Sequence, residues 1–255
     1  MTSSPSQMTP PVVVIGGGTG MGRDIALDQV SLGRDVLIVG RREGPLTETQ
    51  RSAADPEKIL TVVADASTVE GVSRIVDAVG DRRVAGVVAA AGGQGGFRRP
   101  GTDLPAIESA WADALRVNLF TVVLPVEGLL PQVLDTEGRI VLIGSTAGLD
   151  GGGGPCSTAK AAVAGYGRDL AIRAGRRGIT VNTLAAGFVA DTDFFDAAGL
   201  GDSSTMIDAA AARTLVGRVG QPEDITASVR WLLSSEAGWV TGQTIAVDGG
   251  TVMLR

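Results

Sequence analysis

The glycine-rich segment Gly16–Gly22 limits the possible folds of this 255-residue chain more than any other feature of its sequence. It reads Gly-Gly-Gly-Thr-Gly-Met-Gly, follows the apolar run Val12–Ile15 and precedes a helical pattern that begins at Arg23. Glycines allow a tight turn and a close approach of the backbone to a ligand, and a helix N-terminus offers N–H groups to phosphates. A strand, a glycine turn and a helix in this order indicate a dinucleotide-binding unit, although a glycine cluster alone also occurs in ordinary turns. The expected phosphate contacts are Gly16, Gly18, Thr19, Gly20, Met21 and Gly22.

Short apolar runs alternate with longer helical patterns along the chain. The predicted strands are Val12–Ile15, Val36–Val39, Ile59–Val63, Val84–Ala89, Ile140–Ile143, Ile179–Leu184 and Thr244–Val247, and the clearest helices are Arg23–Leu32, Val69–Val79, Ile107–Leu130 and Ala159–Ala174. Continuous apolar strands are typical of a parallel sheet that helices cover on both faces. We therefore predict an α/β single-domain Rossmann fold with a doubly wound seven-stranded parallel sheet over residues 12–255. A flexible tail at 1–11 and a loop-and-helix insert at about 187–212 complete this organisation.

Composition excludes several classes of function. The formal net charge is −6, whereas a nucleic-acid partner would require a concentrated basic surface. The chain contains no histidine, which excludes histidine-ligated metal sites and imidazole catalysis, and we predict no metal site. Its single cysteine fits a reducing compartment. We find no secretion signal in the first eleven residues and no apolar run approaching the roughly 18–20 residues of a membrane span, so we expect a cytoplasmic protein without a membrane partner.

The residues after the second predicted strand bear on the choice of cofactor. The strand is followed by Gly40, Arg41 and Arg42, where enzymes that use NAD(H) place a carboxylate against the adenosine ribose. Without that carboxylate a 2′-phosphate is not repelled, and a guanidinium group binds it with two hydrogen bonds. We therefore predict NADP(H) in preference to NAD(H), with Arg41 as the main contact; the alternative is a solvated arginine pair. Asp65, after the third strand, is placed to accept from the adenine amino group, or is an exposed loop aspartate.

Further motifs extend this pattern through the chain. They are Ala89-Ala90-Ala91-Gly92, Val117-Asn118-Leu119, Gly144-Ser145, Lys160, Val181-Asn182, and the ending Thr241-Gly242-Gln243 with Val247-Asp248-Gly249-Gly250. Together with Gly16–Gly22 and Asp65, they make the chain resemble the classical short-chain dehydrogenase/reductase family over nearly its full length. The resemblance implies hydride transfer between a nicotinamide and a carbonyl or secondary alcohol. It also implies cofactor contacts from Ala66, Ala91, Gly92, Lys160, Gly187, Val189 and Thr192.

Four positions carry the catalytic expectations that the resemblance implies. Ser145 would orient the substrate oxygen, Lys160 would bind the nicotinamide ribose, and Asn118 would hold a water relay. The family's proton-donating tyrosine, four residues before the lysine, is replaced here by Cys156. A free thiol, with a pKa of about 8.5, is a stronger acid than a phenol, but its sulfur lies one bond beyond Cβ and should fall short of the substrate. Losing a positioned acid costs about 10²–10⁴ in rate.

Each of these residues also has a simpler interpretation. Cys156 could be a reactive thiol, because a nearby lysine and a helix start both lower a thiol pKa, or a small residue tolerated after loss of the acid. The simpler roles of Ser145, Lys160 and Asn118 are a turn residue, a solvated lysine and an amide that bridges helix backbone. Tyr166, the only tyrosine, lies roughly 240° around the helix from Lys160 and should face away from the cofactor. Apolar insert residues could line a substrate pocket or form a lid: Phe188, Phe194, Phe195, Leu200, Met206 and Ile207.

Three functions remain open at this level. The first is an NADP(H)-dependent oxidoreductase for a small-molecule carbonyl or alcohol, in which water or the substrate supplies the proton. The second is a catalytically degenerate subunit that binds cofactor and assembles with an active paralogue. The third is non-redox chemistry, such as elimination or isomerisation, on the same scaffold. The resemblance implies a homotetramer, or a hetero-oligomer with a paralogue, formed through the helices that carry Asn118 and Lys160.

Overall fold

The computed structural model describes residues 9–93, 101, 103–190 and 203–253. In chain order its elements are β1 (Val12–Ile15), α1 (Gly20–Ser31), β2 (Val36–Gly40), α2 (Glu43–Ser52), β3 (Ile59–Val63), α3 (Val69–Val79), β4 (Gly86–Ala89), α4 (Leu104–Leu115), a π turn (Arg116–Phe120), α5 (Thr121–Leu129), β5 (Arg139–Ser145), α6 (Ala147–Asp150), α7 (Pro155–Gly175), β6 (Thr180–Ala186), α8 (Ser203–Ala211), α9 (Pro222–Leu232) and β7 (Thr244–Val247). Single 3-10 turns lie at Pro56–Lys58, Leu130–Gln132 and Ser235–Ala237.

The seven strands form one parallel sheet in the order β3-β2-β1-β4-β5-β6-β7. The strand order reverses between β1 and β4, which opens a crevice at the carboxyl ends of these two strands, where doubly wound folds bind ligands. This arrangement confirms the predicted Rossmann fold. The sequence turn Gly16–Gly22 follows β1 directly and therefore lies at this crevice.

Helices cover both faces of the sheet and bury two apolar clusters. On one face, Ile75 of α3, Val126 of α5 and Leu170 of α7 pack on the sheet. On the other, Ile25 of α1 and Val229 of α9 pack against the opposite side chains of the same strands. Because both faces are covered, the strands need apolar residues at successive positions, as in the fully buried β1.

The bounds of β1, β3, β7 and α3 agree with the prediction, and other elements differ for local reasons. β4 begins only at Gly86, because Val84 makes an isolated bridge to Val133 instead of a ladder. β5 and β6 are longer than predicted, since they pair over their full length. The predicted helix Ile107–Leu130 is divided by the π turn and begins at Leu104, where the Asp103 carboxylate accepts a hydrogen bond from the Ala106 N–H.

Part of the predicted N-terminal tail is held by the domain. The backbone N–H and the hydroxyl of Thr9 both donate to the Asp35 carboxylate at 2.7 Å. Pro11 is buried, and its carbonyl accepts from the Ala85 N–H at 2.9 Å. Ordered structure therefore begins before β1, and the residues ahead of Thr9 lie outside the described part of the chain.

One helical segment is more apolar over its length than expected from the sequence. Leu104–Gln132 is long and apolar enough to cross a membrane by length and composition alone. Its fully buried members, which include Val122, Val126 and Leu129, pack into the core beneath the sheet. The core helix of a soluble protein passes the same test, so this segment is weak evidence for a span.

Candidate functional site

The turn after β1 has a shape that only glycine permits at two positions. Gly16 adopts φ +90°, and a Cβ atom there would lie 2.7 Å from the backbone nitrogen of Ala91. A Cβ atom on Gly22 would collide with the carbonyl oxygen of Gly16. The N–H groups of Gly16 and Gly17 both donate to the Val39 carbonyl, at 2.8 and 3.1 Å. The turn is thereby fixed between the ends of β2 and β4, and its glycines leave an open cradle at the crevice.

Helix α1 begins at this cradle in a form that suits an anion. Thr19 is its N-cap residue but makes no side-chain capping hydrogen bond, and the first turn carries no acidic residue. Gly20 has φ +50°, and Met21 packs partly on the core below. Gly18 lies against α2, since a Cβ there would contact Pro45 at 3.3 Å. An uncapped helix N-terminus beside a glycine cradle fits a pyrophosphate.

The charged residues predicted for the adenosine end come together at the ends of β2 and β3. Arg41 and Arg42 are exposed. The Asp65 carboxylate accepts hydrogen bonds from the Ser67 hydroxyl (2.7 Å) and N–H (2.9 Å). These bonds hold the pKa of the Asp65 carboxyl below its usual value although burial raises it, and the charge of Arg41 lowers it further. Arg41 thus lies near an ionised Asp65. Ala66, next to Asp65, is buried.

Asn118 and Lys160 converge on Gly92, just beyond β4. The Asn118 amide oxygen accepts from the Gly93 N–H at 3.2 Å, and the Lys160 Nζ donates to the Ile143 carbonyl of β5 at 3.1 Å. A Cβ atom on Gly92 would lie 3.2 Å from both the Asn118 Oδ1 and the Lys160 Nζ. Gly92 itself is exposed. Three residues predicted for the site therefore meet at one open corner of the crevice.

The π turn and helix α7 place these two polar side chains. Asn118 is fully buried in the middle of the π turn, a local widening of the helix that is frequent at functional sites. Lys160 lies in the second turn of α7, which packs on β5 and β6.

Burial controls the protonation of both titratable groups at the start of α7. It lowers the pKa of the Lys160 ammonium group, and a Cys156 thiolate would oppose this only in part. It raises the pKa of the Cys156 thiol, whose residue is 5% exposed, and Lys160 offsets this only in part. The interpretation of Cys156 as a low-pKa thiol is therefore wrong in direction, because desolvation outweighs the charge of Lys160. The thiol is neutral at neutral pH.

Ser145 closes β5 near the same crevice. It is half-buried, and its hydroxyl oxygen accepts from the Ala147 N–H at 3.2 Å. The chain then runs through α6 and a glycine segment to α7, with φ +82° at Gly151 and +90° at Gly152. The Ser157 hydroxyl accepts from the Gly153 N–H at 2.7 Å and ties this segment to the helix.

The segment after β6 lies at the same edge of the sheet. The Gly187 N–H donates to the Val247 carbonyl at 3.0 Å, and a Cβ there would lie 2.7 Å from Asp248. Val189 is buried and bridges Gly220. Met206 and Ile207 are half-buried on α8. The other predicted members of this segment, Thr192, Phe194, Phe195 and Leu200, lie outside the described residues.

The only tyrosine in the sequence, Tyr166, makes its hydrogen bond outside the candidate site. Its hydroxyl donates to the Glu127 carboxylate of α5 at 2.9 Å, and its ring packs partly on the core. Burial, together with the negative charge of Glu127, raises the pKa of its phenol. This contact agrees with the prediction that Tyr166 faces away from Lys160.

Sequence reasoning assigned no role to three groups that shape the site. Ser67 fixes Asp65, and the Asp-Ala-Ser order after a strand is a recognisable Asx-turn signal. Asp248 accepts from the Gly250 N–H at 2.9 Å and the Val252 N–H at 2.7 Å, and so orders the turn against Gly187. The Ile143 carbonyl that binds Lys160 has no sequence signal, because every residue has a carbonyl. In the described ranges, no three histidine, cysteine, aspartate or glutamate side chains are grouped to hold a metal ion.

Comparison with known proteins gives matches over nearly the whole chain. A family model described as "Enoyl-(Acyl carrier protein) reductase" matches residues 16–252. The chain is 29% identical over 245 residues to the 3-oxoacyl-[acyl-carrier-protein] reductase FabG of Vibrio harveyi, covering 95% of this chain and 97% of the relative. It is 33% identical over 246 residues to the (2S)-[(R)-hydroxy(phenyl)methyl]succinyl-CoA dehydrogenase subunit BbsD of Thauera aromatica, covering 93% and 94%.

Solved structures give the same picture. A short-chain dehydrogenase/reductase of unknown function from Caenorhabditis elegans, crystallised with cofactor, superposes with a TM-score of 0.85 and 28% identity. The match covers 97% of this chain and 96% of the worm protein.

Proposed function

Because this chain belongs to the classical short-chain dehydrogenase/reductase family, we propose that it is an NADP(H)-dependent oxidoreductase acting on a carbonyl or secondary alcohol. The observation that carries the proposal is the convergence of Asn118 and Lys160 on the exposed Gly92, at the crevice that also holds the glycine cradle. When bound, the nicotinamide supplies or accepts the hydride. The chain's own residues bind, orient and exchange the proton.

The described residues fit a dinucleotide along the crevice. The cradle and the N-terminus of α1 would hold the pyrophosphate through Gly16, Gly18, Thr19, Gly20, Met21 and Gly22. Arg41 and Arg42 would bind the 2′-phosphate, and Asp65 and the Ala66 backbone would hold the adenine. Lys160, Ala91 and Gly92 would contact the nicotinamide ribose. The nicotinamide would lie against Gly187, Val189 and Thr192.

The proposed preference for NADP(H) rests on charge. Two exposed arginines follow β2 where a carboxylate would favour NAD(H), and the nearby carboxylate, Asp65, already has its Oδ1 bonded by Ser67. A 2′-phosphate would therefore meet two guanidinium groups directly after β2, and the charge of Asp65 is offset in part by Arg41.

We propose that Ser145 orients the substrate oxygen and that Asn118 holds a water relay beside Lys160. In the resemblance Cys156 occupies the tyrosine position. Its thiol is short, buried and neutral, so it should not act as the acid. Turnover should be slow, by about 10²–10⁴ relative to a site with a positioned acid.

The test compares the purified native chain with Cys156→Tyr and Cys156→Ala, each assayed for NADPH oxidation against a panel of carbonyl compounds. The native chain should turn over slowly, Cys156→Ala should match it, and Cys156→Tyr should be faster. Turnover by none of the three, with NADPH bound to all, would overturn the oxidoreductase proposal.

A second candidate function is a cofactor-binding subunit that assembles with an active paralogue. The neutral Cys156 thiol favours it, and the Thauera aromatica relative is itself named a dehydrogenase subunit. Only 33% of the most apolar part of the helical segment Leu104–Gln132 is buried within the chain. The exposed apolar side of this segment suits the interface of a homotetramer or a hetero-oligomer. Mass measurement of the native complex, expressed in the source organism, distinguishes the homotetramer from the hetero-oligomer. A second family member in stoichiometric amount supports the subunit role. Non-redox chemistry would instead convert a substrate without change in NADPH absorbance.

We further propose a cytoplasmic location. The single cysteine is free and buried, as expected of a chain that folds in a reducing compartment.

A further inference from the structure

The site has few groups that can supply a proton. The chain has no histidine, and its one tyrosine donates its hydroxyl to Glu127. The Cys156 thiol is almost fully buried and ends one bond beyond Cβ. Ser145 keeps its proton at any physiological pH. Among the residues that the structure describes at this corner, the remaining group with an exchangeable acidic proton is the Lys160 ammonium.

The position of Lys160 suits a donor. One of its three N–H bonds is directed to the Ile143 carbonyl. The Nζ also lies beside the exposed Gly92, because a Cβ atom built on this glycine would be 3.2 Å from it. Ser145 follows Ile143 by two residues on β5, a span of about 7 Å along a strand. Lys160 and Ser145 therefore lie along the same end of β5, and a substrate oxygen bound between them would take a proton from Nζ directly or through one water.

Other charged groups around α7 are paired away from Lys160. Cys156 is the group whose charge acts on it among the described residues, and β5 and the π turn present it with the neutral Ile143 carbonyl and the Asn118 amide. Of the acidic groups on the helices packed on α7, Asp150 of α6 pairs with Arg213, Glu127 of α5 with Arg173, and Asp113 of α4 with Arg116 of the π turn. The remaining one, Glu108 of α4, is exposed and is not among the groups that shift the pKa of Lys160.

We propose that Lys160 is itself the proton donor of the reduction, an inference that rests on the proposed function. The reduced nicotinamide, a co-reactant, gives a hydride to the carbonyl carbon and is oxidised. The C=O π bond breaks as a C–H bond forms, and the oxygen takes one Nζ proton to become a hydroxyl. The neutral amine then regains a proton from water. In the reverse direction the neutral amine accepts the alcohol proton.

The protonation of Lys160 fixes the expected pH dependence. Its pKa is lowered by burial, so the ammonium form is lost at a lower pH than for an ordinary lysine. Reduction should be constant below this pKa and fall about tenfold per pH unit above it. A water donor gives a flat profile in the same range, and a Cys156 donor is tested by Cys156→Ala, which should keep the fall with pH if Lys160 is the donor and lose it if the thiol is.

The first experiment needs no catalysis. Lys58 and Lys160 are the only lysines in the chain, so NMR titration of isotopically labelled lysine side chains in the cofactor-free protein gives two signals, and Lys58→Arg identifies the one from Lys160. We expect Lys160 to titrate below the ordinary lysine value of about 10.4. A value at or above it would overturn the proposal.

The second experiment uses Lys160→Arg and Lys160→Ala. Arginine keeps the positive charge and N–H donors but does not release a proton in this range, so Lys160→Arg should bind NADPH within about tenfold of native and lose about 10²–10⁴ in rate. Ammonium or methylammonium ions should restore part of the rate of Lys160→Ala. A native rate in Lys160→Arg, or a flat pH profile in the active native chain, overturns the donor role alone. No turnover at any pH by the native chain overturns the proposed function as well.

Discussion

The glycine cradle gives the sharpest stability prediction. Two physical causes make glycine necessary there, a positive φ and a clash of any Cβ atom with backbone, and three glycines of the chain allow these causes to be measured separately. Gly16 combines positive φ with a clash against the Ala91 backbone. Gly22 has the clash, with the Gly16 carbonyl, at an ordinary φ. Gly33, beyond the end of α1, has φ +80° with nothing within 4 Å of an added Cβ. Alanine at each position therefore isolates one cause or combines both.

The expected losses follow from these surroundings. Left-handed backbone costs a non-glycine residue about 1–2 kcal/mol, so Gly33→Ala should lose that amount of unfolding free energy. Overpacking against fixed backbone costs about 1–3 kcal/mol, which is the expectation for Gly22→Ala. Gly16→Ala carries both costs and should lose about 2–5 kcal/mol.

Urea unfolding followed by circular dichroism measures the three losses, and fluorescence titration with NADPH measures the cradle. Gly16→Ala and Gly22→Ala should also weaken NADPH binding, whereas Gly33→Ala should leave it unchanged. Equal stability losses at Gly16 and Gly33, or undiminished NADPH binding in Gly16→Ala, would refute the cradle.

Three further predictions test charge and burial. Arg41→Ala should weaken NADPH binding by about 1.5–3 kcal/mol, the worth of hydrogen bonds to a charged group, and NADH binding far less; equal losses in two fluorescence titrations would contradict the 2′-phosphate contact. Tyr166→Phe should cost about 1 kcal/mol of unfolding free energy, because the hydrogen bond to Glu127 is lost. Ultraviolet titration of the native chain should show no phenolate near pH 10, since burial raises the pKa of Tyr166. Hydrogen bonds from Arg218 lower the pKa of Asp224 to about 2, so its stabilisation is full above about pH 4 and is lost as the pH falls towards 2. Because that carboxyl is 34% exposed, we expect only about 1 kcal/mol, and urea unfolding of Asp224→Asn should show correspondingly less loss of stability between pH 4 and 2.

The regular elements were predictable where apolar runs have clear ends. β3 and α3 match to the residue: Lys58 precedes the apolar run of β3, and α3 lies between the N-cap Thr68 and Gly80. Helix α2 has no counterpart among the predicted helices, since Gly44 and Pro45 stand in its first turn and only Leu46 and Thr49 are buried. The π turn was not predicted, because Ile107–Leu130 is interpreted as one continuous helix, whereas residues Arg116–Phe120 form a π turn inside it.

The candidate site was predictable in its members but not in its electrostatics. The sequence identified Asn118, Lys160 and Gly92 as separate motifs, and the packing of α7 on the sheet brings them together. It could not give the protonation of Cys156, because a lysine four residues away predicts a lowered thiol pKa whereas burial raises it. Desolvation depends on the whole surrounding fold, which no local pattern carries.

The most direct test of the proposed hydride transfer uses NADPH deuterated on either face of the nicotinamide C4. The purified native chain is incubated with this cofactor and a panel of carbonyl compounds, and the products are analysed by mass spectrometry. We predict an alcohol with one deuterium on the former carbonyl carbon, formed slowly by the native chain and faster by Cys156→Tyr. Absence of label with the native chain, under conditions in which Cys156→Tyr transfers deuterium, would contradict the account and favour a degenerate subunit.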